Sequence, residues 1–281
     1  MIEAAVRQKD VNHITGDVNM LAILLKKKRS ILSIMDCGSL LHDHGWRGPL
    51  HRLLFWVLPV RRCGYITVIS EKTKNEVLSL LPCRPDRLRM IHVPVSDDFQ
   101  VSPQEFNELK PVVLQVRTWE NKNLLRVAAA LKGIPCHMRI IGELSAEQER
   151  TLLENEIEYS NVVRISNNDM VTEYKKCDMV IFASTYEGFG MPIIEANAVG
   201  RPVITSNIPP MTEVAGTAAC LVDPLDADDI RKGILRVIED KQFRNNLVDR
   251  GLENARRFSP SMIAQQYAEL YEDIWREVKG N

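Results

Sequence analysis

The chain has 281 residues, 45% of them hydrophobic and 26% charged, an ordinary balance for a globular protein. Its 36 basic and 37 acidic side chains give a formal net charge of −1, which argues against a nucleic-acid-binding protein. Six dispersed cysteines, none in a CxxC pair, predict reduced and mostly buried thiols and argue against a zinc site. We expect a cytoplasmic protein, because no signal peptide and no apolar stretch of roughly 20 residues is present.

Short apolar runs alternate with amphipathic stretches along most of the chain. Such runs suit strands that are buried on both faces of a parallel sheet, and the alternation predicts a doubly wound α/β architecture. The predicted strands are Val11–Ile14, Ile31–Ile34, Tyr65–Ile69, Arg89–Val93, Val112–Val116, His137–Ile141, Val162–Ile165, Met179–Ala183, Pro202–Thr205 and Ala219–Leu221. The predicted helices include Lys122–Leu131, Ala146–Glu154, Val171–Lys176, Met191–Val199, Ala227–Asp240 and Pro260–Lys279.

A segment rich in Pro, Ser, Asp and Glu separates two series of these elements. Residues 94–111 read PVSDDFQVSPQEFNELKP, which is typical of an inter-domain linker. We therefore predict a Rossmann-like domain over 1–95, a linker over 96–110, a second Rossmann-like domain over 111–258, and a C-terminal helix over 259–281.

The central motif is a strand, a loop and a helix in close succession. Met179–Ala183 reads as a buried strand, residues 184–190 as a loop, and Met191–Val199 as a helix with Pro192 near its first position. Ligands bind at the carboxyl edge of such sheets, and the N–H groups and dipole of a helix N-terminus favour a phosphate. Gly188 and Gly190 allow the backbone to approach a ligand closely.

Two glutamates flank this helix start. Glu195 lies about one turn into the helix, where its carboxylate can accept hydrogen bonds from a ribose diol. Glu187 lies in the loop, on the side where a sugar ring beyond the phosphates would lie. A carboxylate beside a phosphate requires sugar hydroxyls and nearby cations to offset the repulsion between like charges.

A pair of cations is predicted at the same edge of the sheet. Arg117 and Lys122 lie in the loop after the predicted strand Val112–Val116, the first strand of the second domain. They would neutralise a diphosphate and its charge as a leaving group.

Several segments carry a resemblance to a known family. They read VVLQVRTWENKNLLRVAAAL, MRIIGELS, VTEYKKCDMVIFASTYEGFGMPIIEANAVGRPVITSNIPPMTEVAG and CLVDPLDADDIRKGI. In these segments, which span essentially all of 110–258, the chain resembles retaining glycosyltransferases of family 4, which have the GT-B fold. A weaker resemblance over 9–95 involves DVNHITGDVNMLA, ILSIMDCGSL and YITVISEKTKNEV.

The resemblance implies a role for each candidate residue. Arg117 and Lys122 would grip the donor diphosphate, Glu195 the ribose, and Glu187, the candidate catalytic residue, would lie beside the transferred sugar. The predicted donor-binding residues are Arg117, Lys122, Gly188, Phe189, Gly190, Met191, Pro192, Glu195, Ile165 and Ser166, of which the last two lie where the family holds the base.

The resemblance also implies a reaction. A sugar would pass from a UDP- or GDP-linked donor to a glycan or lipid-linked acceptor, with retention of anomeric configuration and without a metal or another cofactor. The final helix would cross back to the N-terminal domain, as is usual in this fold.

The sequence departs from the family's pattern in its N-terminal half. Relative to the family, this half starts downstream of the usual glycine-rich loop, so we expect an incomplete N-terminal domain. The histidine that usually contacts the donor sugar is replaced by Met35, followed by Asp36. His42 or His44 are candidate substitutes, although an ordinary loop role is the simpler interpretation for both.

A basic and apolar segment leaves two interpretations open. Residues 47–62 read RGPLHRLLFWVLPVRR, and Lys26–Arg29 adds a second basic group. One interpretation is peripheral contact with an anionic inner-membrane surface. The other, which we favour, is a core helix with basic ends whose Leu and Trp side chains pack inward.

Three functions compete. The first is an active glycosyltransferase, which the intact motif of the second domain favours. The second is a non-catalytic nucleotide-sugar-binding module or a truncated partner subunit, which the short N-terminal half and Met35 favour. The third is a sugar-nucleotide epimerase of similar fold, which the spacing from Arg117 to Glu195 fits less well.

Overall fold

The computed structural model describes residues 1–41 and 48–280 and divides into two compact units. The first unit comprises Met1–Val93 together with the chain from Ser261 onward, and the second comprises Pro94–Pro260. His42, His44 and Arg47, which entered the sequence hypotheses, lie outside the described residues.

A parallel sheet forms the centre of the first unit. Its strands, in spatial as well as sequence order, are β1 (Asn12–Ile14), β2 (Ser30–Ile34), β3 (Tyr65–Val68) and β4 (Leu88–Met90). The helices in the described part of this segment are α1 (Ile2–Val6), α2 (Gly38–Leu41), α3 (Gly48–Arg52), α4 (Leu58–Arg62) and α5 (Glu71–Leu80), with short 3-10 turns at Asn19–Leu24, Lys27–Arg29 and Pro85–Arg87.

The basic and apolar segment forms a helical stretch in this unit. A π-helical turn, Leu53–Val57, joins α3 to α4, and Trp56 and Val60 are buried in the core with Ile66. Leu53 is exposed, as are the basic side chains at the ends of the stretch. The inward packing of Trp56 agrees with a core helix that has basic ends. None of the described helices combines the length and apolar character needed to span a bilayer.

The second unit contains a larger parallel sheet with the spatial order β10-β9-β8-β5-β6-β7 among the described residues. Its strands are β5 (Val112–Val116), β6 (His137–Ile141), β7 (Tyr159–Val162), β8 (Met179–Phe182), β9 (Val203–Ser206) and β10 (Cys220–Val222). Its helices are α6 (Leu124–Leu131), α7 (Ala146–Glu154), α8 (Asn167–Lys176), α9 (Met191–Val199), α10 (Met211–Ala215), α11 (Ala227–Glu239) and α12 (Lys241–Arg256), with a 3-10 turn at Glu120–Lys122. The predicted doubly wound α/β class is therefore confirmed.

One predicted strand is wrong in position. We expected Val162–Ile165, whereas β7 spans Tyr159–Val162 and, among the described strands, pairs with β6 alone at the edge of the sheet. An edge strand tolerates polar residues such as Ser160 and Asn161, which hid it from an apolar-run criterion. Arg164 has a left-handed backbone with φ of 54°, which ends the extended conformation before Ile165.

Other element boundaries also move. The strand expected at Arg89–Val93 is Leu88–Met90. The helix expected from Lys122 begins at Leu124, because Asn123 adopts a left-handed conformation with φ of 62° that interrupts a right-handed helix. The helix expected from Val171 begins at Asn167, where Ser166 and Asp169 form a capping box.

The last helix, α13 (Pro260–Lys279), packs on the first unit. Its apolar side chains Ile263, Leu270 and Ile274 form a buried cluster with Ile31 and Ile91. A long amphipathic helix buries its apolar stripe in this way. All six cysteines are free thiols, and all but Cys83 are buried.

Candidate functional site

The order of the strands in the second unit reverses direction at its centre. β5 lies between β8 and β6, so the chain moves outward to one side after β5 and to the other side from β8. A crevice forms at such a switch point, outside the carboxyl ends of the two central strands, and ligands bind there in open α/β sheets. The loops after β5 and β8 are the two that carry the candidate residues.

The loop after β5 is held to its neighbours by hydrogen bonds. The N–H of Arg117, which has φ of 70°, donates to the carbonyl of Ile141 at 2.6 Å. The side-chain amide of Asn123 donates to the carbonyls of Ala183 at 2.9 Å and Pro224 at 2.6 Å. An asparagine tolerates the left-handed backbone at this position while its side chain connects three loops. The Arg117 side chain is exposed.

Lys122 and Glu187 form an ion pair across the crevice. The Nζ of Lys122 donates to Oε1 of Glu187, and their side chains are only 9% and 14% exposed, respectively. Asn121 also connects the loop after β5 to the loop after β8, because its Nδ2 donates a hydrogen bond to the carbonyl of Tyr186 at 2.8 Å. The Nζ of Lys122 also lies 5.1 Å from the centre of the Phe182 ring. Two of the predicted residues are therefore in direct contact, although they are far apart in the sequence.

The start of α9 presents backbone rather than side chains. Gly190 precedes the helix with φ of 133° and has no side chain that could cap the first turn. Pro192, one of the predicted donor-binding residues, has no N–H and a fixed φ, so its backbone nitrogen cannot donate a hydrogen bond to a donor phosphate. Phe189 is buried and packs edge-on against Phe258 at 5.6 Å, whereas Gly188 and Met191 are half-buried.

Glu195 lies one turn into α9 and is half-buried. The phenol of Tyr174, on α8, donates a hydrogen bond of 2.6 Å to Oε2 of Glu195. Burial raises the pKa of Glu195 above its usual range, while the Tyr174 hydrogen bond and the positive charge of Arg117 act in the opposite direction. The positive charge of Arg117 therefore favours the ionised form of Glu195.

Sequence reasoning missed Tyr174. It lies on the predicted helix that precedes β8, three residues after the buried Val171, and apolar spacing of this kind indicates core. That spacing predicts that the aromatic ring is buried, but it does not predict which residue accepts the hydrogen bond of the hydroxyl group. A buried tyrosine needs a partner for its hydroxyl group, and this is the signal that points to a polar site.

An open cavity of about 1320 Å³ lies beside these residues, between the loops that follow β5, β6 and β7. Arg117, Trp119, Gln148 and Arg164 are among its lining residues, and Glu187 and Glu195 are not. Of the two residues predicted at the base, Ser166 is engaged in capping α8, where its hydroxyl donates to Asp169 at 2.7 Å. The side of the cavity nearest β7 is lined by Val163 and Arg164 instead of Ile165 and Ser166.

Comparison with known proteins identifies the family. Residues 96–254 match the sequence profile of the glycosyl transferases group 1 family. The O-antigen chain mannosyltransferase B of Escherichia coli is 29% identical over 231 residues, which cover 73% of this chain and 60% of that protein. The serotype-specific mannosyltransferase WbdA of Escherichia coli is 25% identical over 222 residues, 70% of this chain and 27% of that protein.

Solved structures show the same architecture. Anabaena HepE, solved in complex with UDP and glucose, is similar with a TM-score of 0.75 and 20% identity, over 94% of this chain and 77% of that chain. Sucrose-phosphate synthase from Thermosynechococcus elongatus gives a TM-score of 0.75 at 20% identity, over 88% of this chain and 68% of that chain. These similarities confirm the GT-B fold.

The chain spans 60% or less of the length of the two mannosyltransferases. The profile match nevertheless covers more than half of the chain and includes Arg117, Lys122, Glu187 and Glu195. The chain belongs to the group 1 glycosyl transferases, and its two α/β units have the GT-B fold of that family.

Proposed function

We propose that the chain transfers a sugar from a nucleotide-sugar donor, UDP- or GDP-linked, to a glycan or lipid-linked acceptor with retention of configuration. The observation that carries the proposal is the ion pair of Lys122 with Glu187 at the switch point of the second sheet, where the loop after β5 also carries the exposed cation Arg117. Cations placed beside carboxylates suit a ligand that combines a diphosphate with sugar hydroxyls.

The proposed roles follow from the chemistry of transfer. The bond between the anomeric carbon and the diphosphate oxygen breaks, a bond from the acceptor oxygen to that carbon forms, and the acceptor proton passes to the leaving phosphate. Arg117, Lys122 and the N-terminus of α9 would stabilise the negative charge of the leaving group. We propose that these groups replace a metal ion, and we expect turnover to be unchanged by a chelator.

The names of the relatives narrow the proposed substrate. The curated similarities include mannosyltransferases, one of them described as acting on an O-antigen chain. We therefore propose mannose as the transferred sugar and a polysaccharide, free or lipid-linked, as the acceptor.

Peripheral membrane contact is a further part of the proposal. Lys27, Lys28, Arg61 and Arg62 are exposed in the first unit, and Leu53 is an exposed apolar neighbour in the same helical stretch. Basic side chains next to exposed apolar ones suit an anionic surface. Co-sedimentation with liposomes should increase when anionic lipid is included, and equal sedimentation with neutral liposomes would contradict the contact.

The test of the proposed function is a transfer and donor-hydrolysis assay with a panel of nucleotide-sugars and the wild-type chain. We expect turnover of one donor, a product with the anomeric configuration of the donor by NMR, and loss of at least 100-fold in kcat for Glu187→Gln. Donor binding without turnover, unaffected by Glu187→Ala, would instead indicate a non-catalytic binding module.

A further inference from the structure

We propose that Tyr174 is a positioning residue that determines how Glu195 recognises the ribose of the donor, an inference that rests on the proposed function. Tyr174 lies on α8, outside the glycine-containing loop and outside the lining of the large cavity. It therefore acts through Glu195 rather than by touching the ligand.

The side chain of Tyr174 has no access to solvent. Its exposed fraction is 0%, and its ring packs edge-on against Phe99 with 5.3 Å between the centres. The hydroxyl donates to Oε2 of Glu195 at 2.6 Å, a short and charge-assisted hydrogen bond. A fully buried phenol that donates in this way holds the acceptor in one orientation.

This hydrogen bond gives the two oxygens of the Glu195 carboxylate different roles. Oε2 accepts the hydrogen bond of the Tyr174 hydroxyl. Oε1 is thereby directed to a hydroxyl group of the ligand, because a carboxylate is an acceptor on both of its oxygens. Without the Tyr174 hydroxyl, the Glu195 side chain could rotate among several orientations. Only one of these orientations would present Oε1 to a ribose hydroxyl.

The same bond favours the charged form of Glu195. Burial raises the pKa of Glu195, and the groups that lower it are the Tyr174 hydroxyl from α8 and Arg117 from the loop after β5. The other helices that pack on α9 also carry charged residues, such as Glu213 of α10 and Glu253 of α12, but the charged group that acts on the pKa of Glu195 is Arg117. Removal of the phenol hydroxyl would therefore raise the pKa of Glu195 further.

The sign of the pH effect follows directly. Ribose recognition requires the ionised carboxylate, so affinity is complete above the pKa of Glu195 and is lost as the pH falls through it. In Tyr174→Phe the loss should begin at a higher pH than in the wild type. A residue that only filled space would leave this pH profile unchanged.

The experiment measures the Kd of UDP-glucose and GDP-mannose by calorimetry between pH 5 and 8, beside their 2′-deoxyribose and 3′-deoxyribose counterparts. The variants are Tyr174→Phe, which keeps the ring against Phe99, and Tyr159→Phe, which removes a phenol on the edge strand β7. Thermal denaturation establishes that both variants are folded.

We expect Tyr174→Phe to weaken binding of the ribonucleotide-sugar by about tenfold, to weaken at least one deoxy counterpart much less, and to move the pH profile upward. Tyr159→Phe should match the wild type. If Tyr174→Phe lost affinity equally for all ligands, or lost none, the proposed role of Tyr174 would be overturned. Binding of the nucleotide-sugar by the wild type would still support the proposed function in that case. Absence of wild-type binding to either nucleotide-sugar would overturn the proposed function itself.

Discussion

Lys122 and Glu187 form an ion pair that is largely shielded from water at the edge of the second sheet. Removal of one member of such a pair leaves an uncompensated charge, which costs far more than the loss of an exposed pair. The exposed pair Lys110–Glu158, with side chains 50% and 60% exposed, is a natural comparison in the same unit.

We therefore expect Lys122→Met to lower the free energy of unfolding by about 3 kcal/mol, as measured by urea denaturation. Lys110→Met should cost at most about 1 kcal/mol, because solvent screens its charge. Donor affinity should fall only for the Lys122 variant. An equal loss of unfolding free energy in the two variants would show that the buried ion pair contributes no more to stability than the exposed one.

Single residues were predictable from the sequence where a local pattern placed them at a sheet edge. Arg117 and Glu187 each follow a recognisable apolar strand, so their loops were predicted at the same edge of the sheet. Tyr174 and the capping role of Ser166 were not predicted, because each depends on which group faces a side chain across the fold. Spacing along the chain carries no such information.

Gly190 shows how one element, α9, depends on a single backbone conformation. Its φ of 133° and ψ of 48° lie where L side chains are strained, and an added Cβ would lie 3.0 Å from Cδ1 of Ile193. The Ile193 side chain would have to move slightly to accept the added methyl group, and the backbone strain at Gly190 would remain.

We expect Gly190→Ala to cost about 2 kcal/mol in stability and to weaken donor binding. Gly133→Ala is the matched variant, since Gly133 has φ of 72° but its Cβ would meet nothing within 4 Å. Thermal denaturation and calorimetry should show lower stability for both variants, and lower donor affinity for Gly190→Ala alone. An unchanged donor affinity in Gly190→Ala would show that the start of α9 does not take part in donor binding.

Strands were predicted with most success where the segment is mainly apolar. β5, β6 and β8 in the centre of the second sheet, and β1 and β10 at sheet edges, all lie within a residue of their predicted bounds. β7 was misplaced because its edge position permits polar residues. The strand order β10-β9-β8-β5-β6-β7, which creates the crevice, is a property of the folded chain that no single segment encodes.

The molecule as a whole is two compact units, and the candidate residues all belong to the second of them. Ile274, at the end of the chain, is fully buried in the cluster that joins α13 to β2 in the first unit. Stability of the first unit and affinity for the donor should therefore respond to different substitutions.

Ile274→Ala should lower the stability of the first unit by about 3 kcal/mol, through the loss of buried methylene groups and the cavity left behind. Met262→Ala, at a half-exposed position on the same helix, should change stability by less than about 0.5 kcal/mol. Donor affinity should be unchanged in both variants under native conditions. A loss of affinity in Ile274→Ala, without unfolding, would mean that the second unit alone does not determine binding.

The most direct test of the central claim is a calorimetric titration of the wild type and Arg117→Ala with UDP-glucose and GDP-mannose. Arg117 is exposed, so its removal should leave the fold intact and remove only a charge-assisted contact to the diphosphate. We predict that the wild type binds at least one of the two with a single site, and that Arg117→Ala weakens this binding by about tenfold or more. No binding of either nucleotide-sugar, or an affinity unchanged in Arg117→Ala, would contradict a donor site at the switch point of the second sheet.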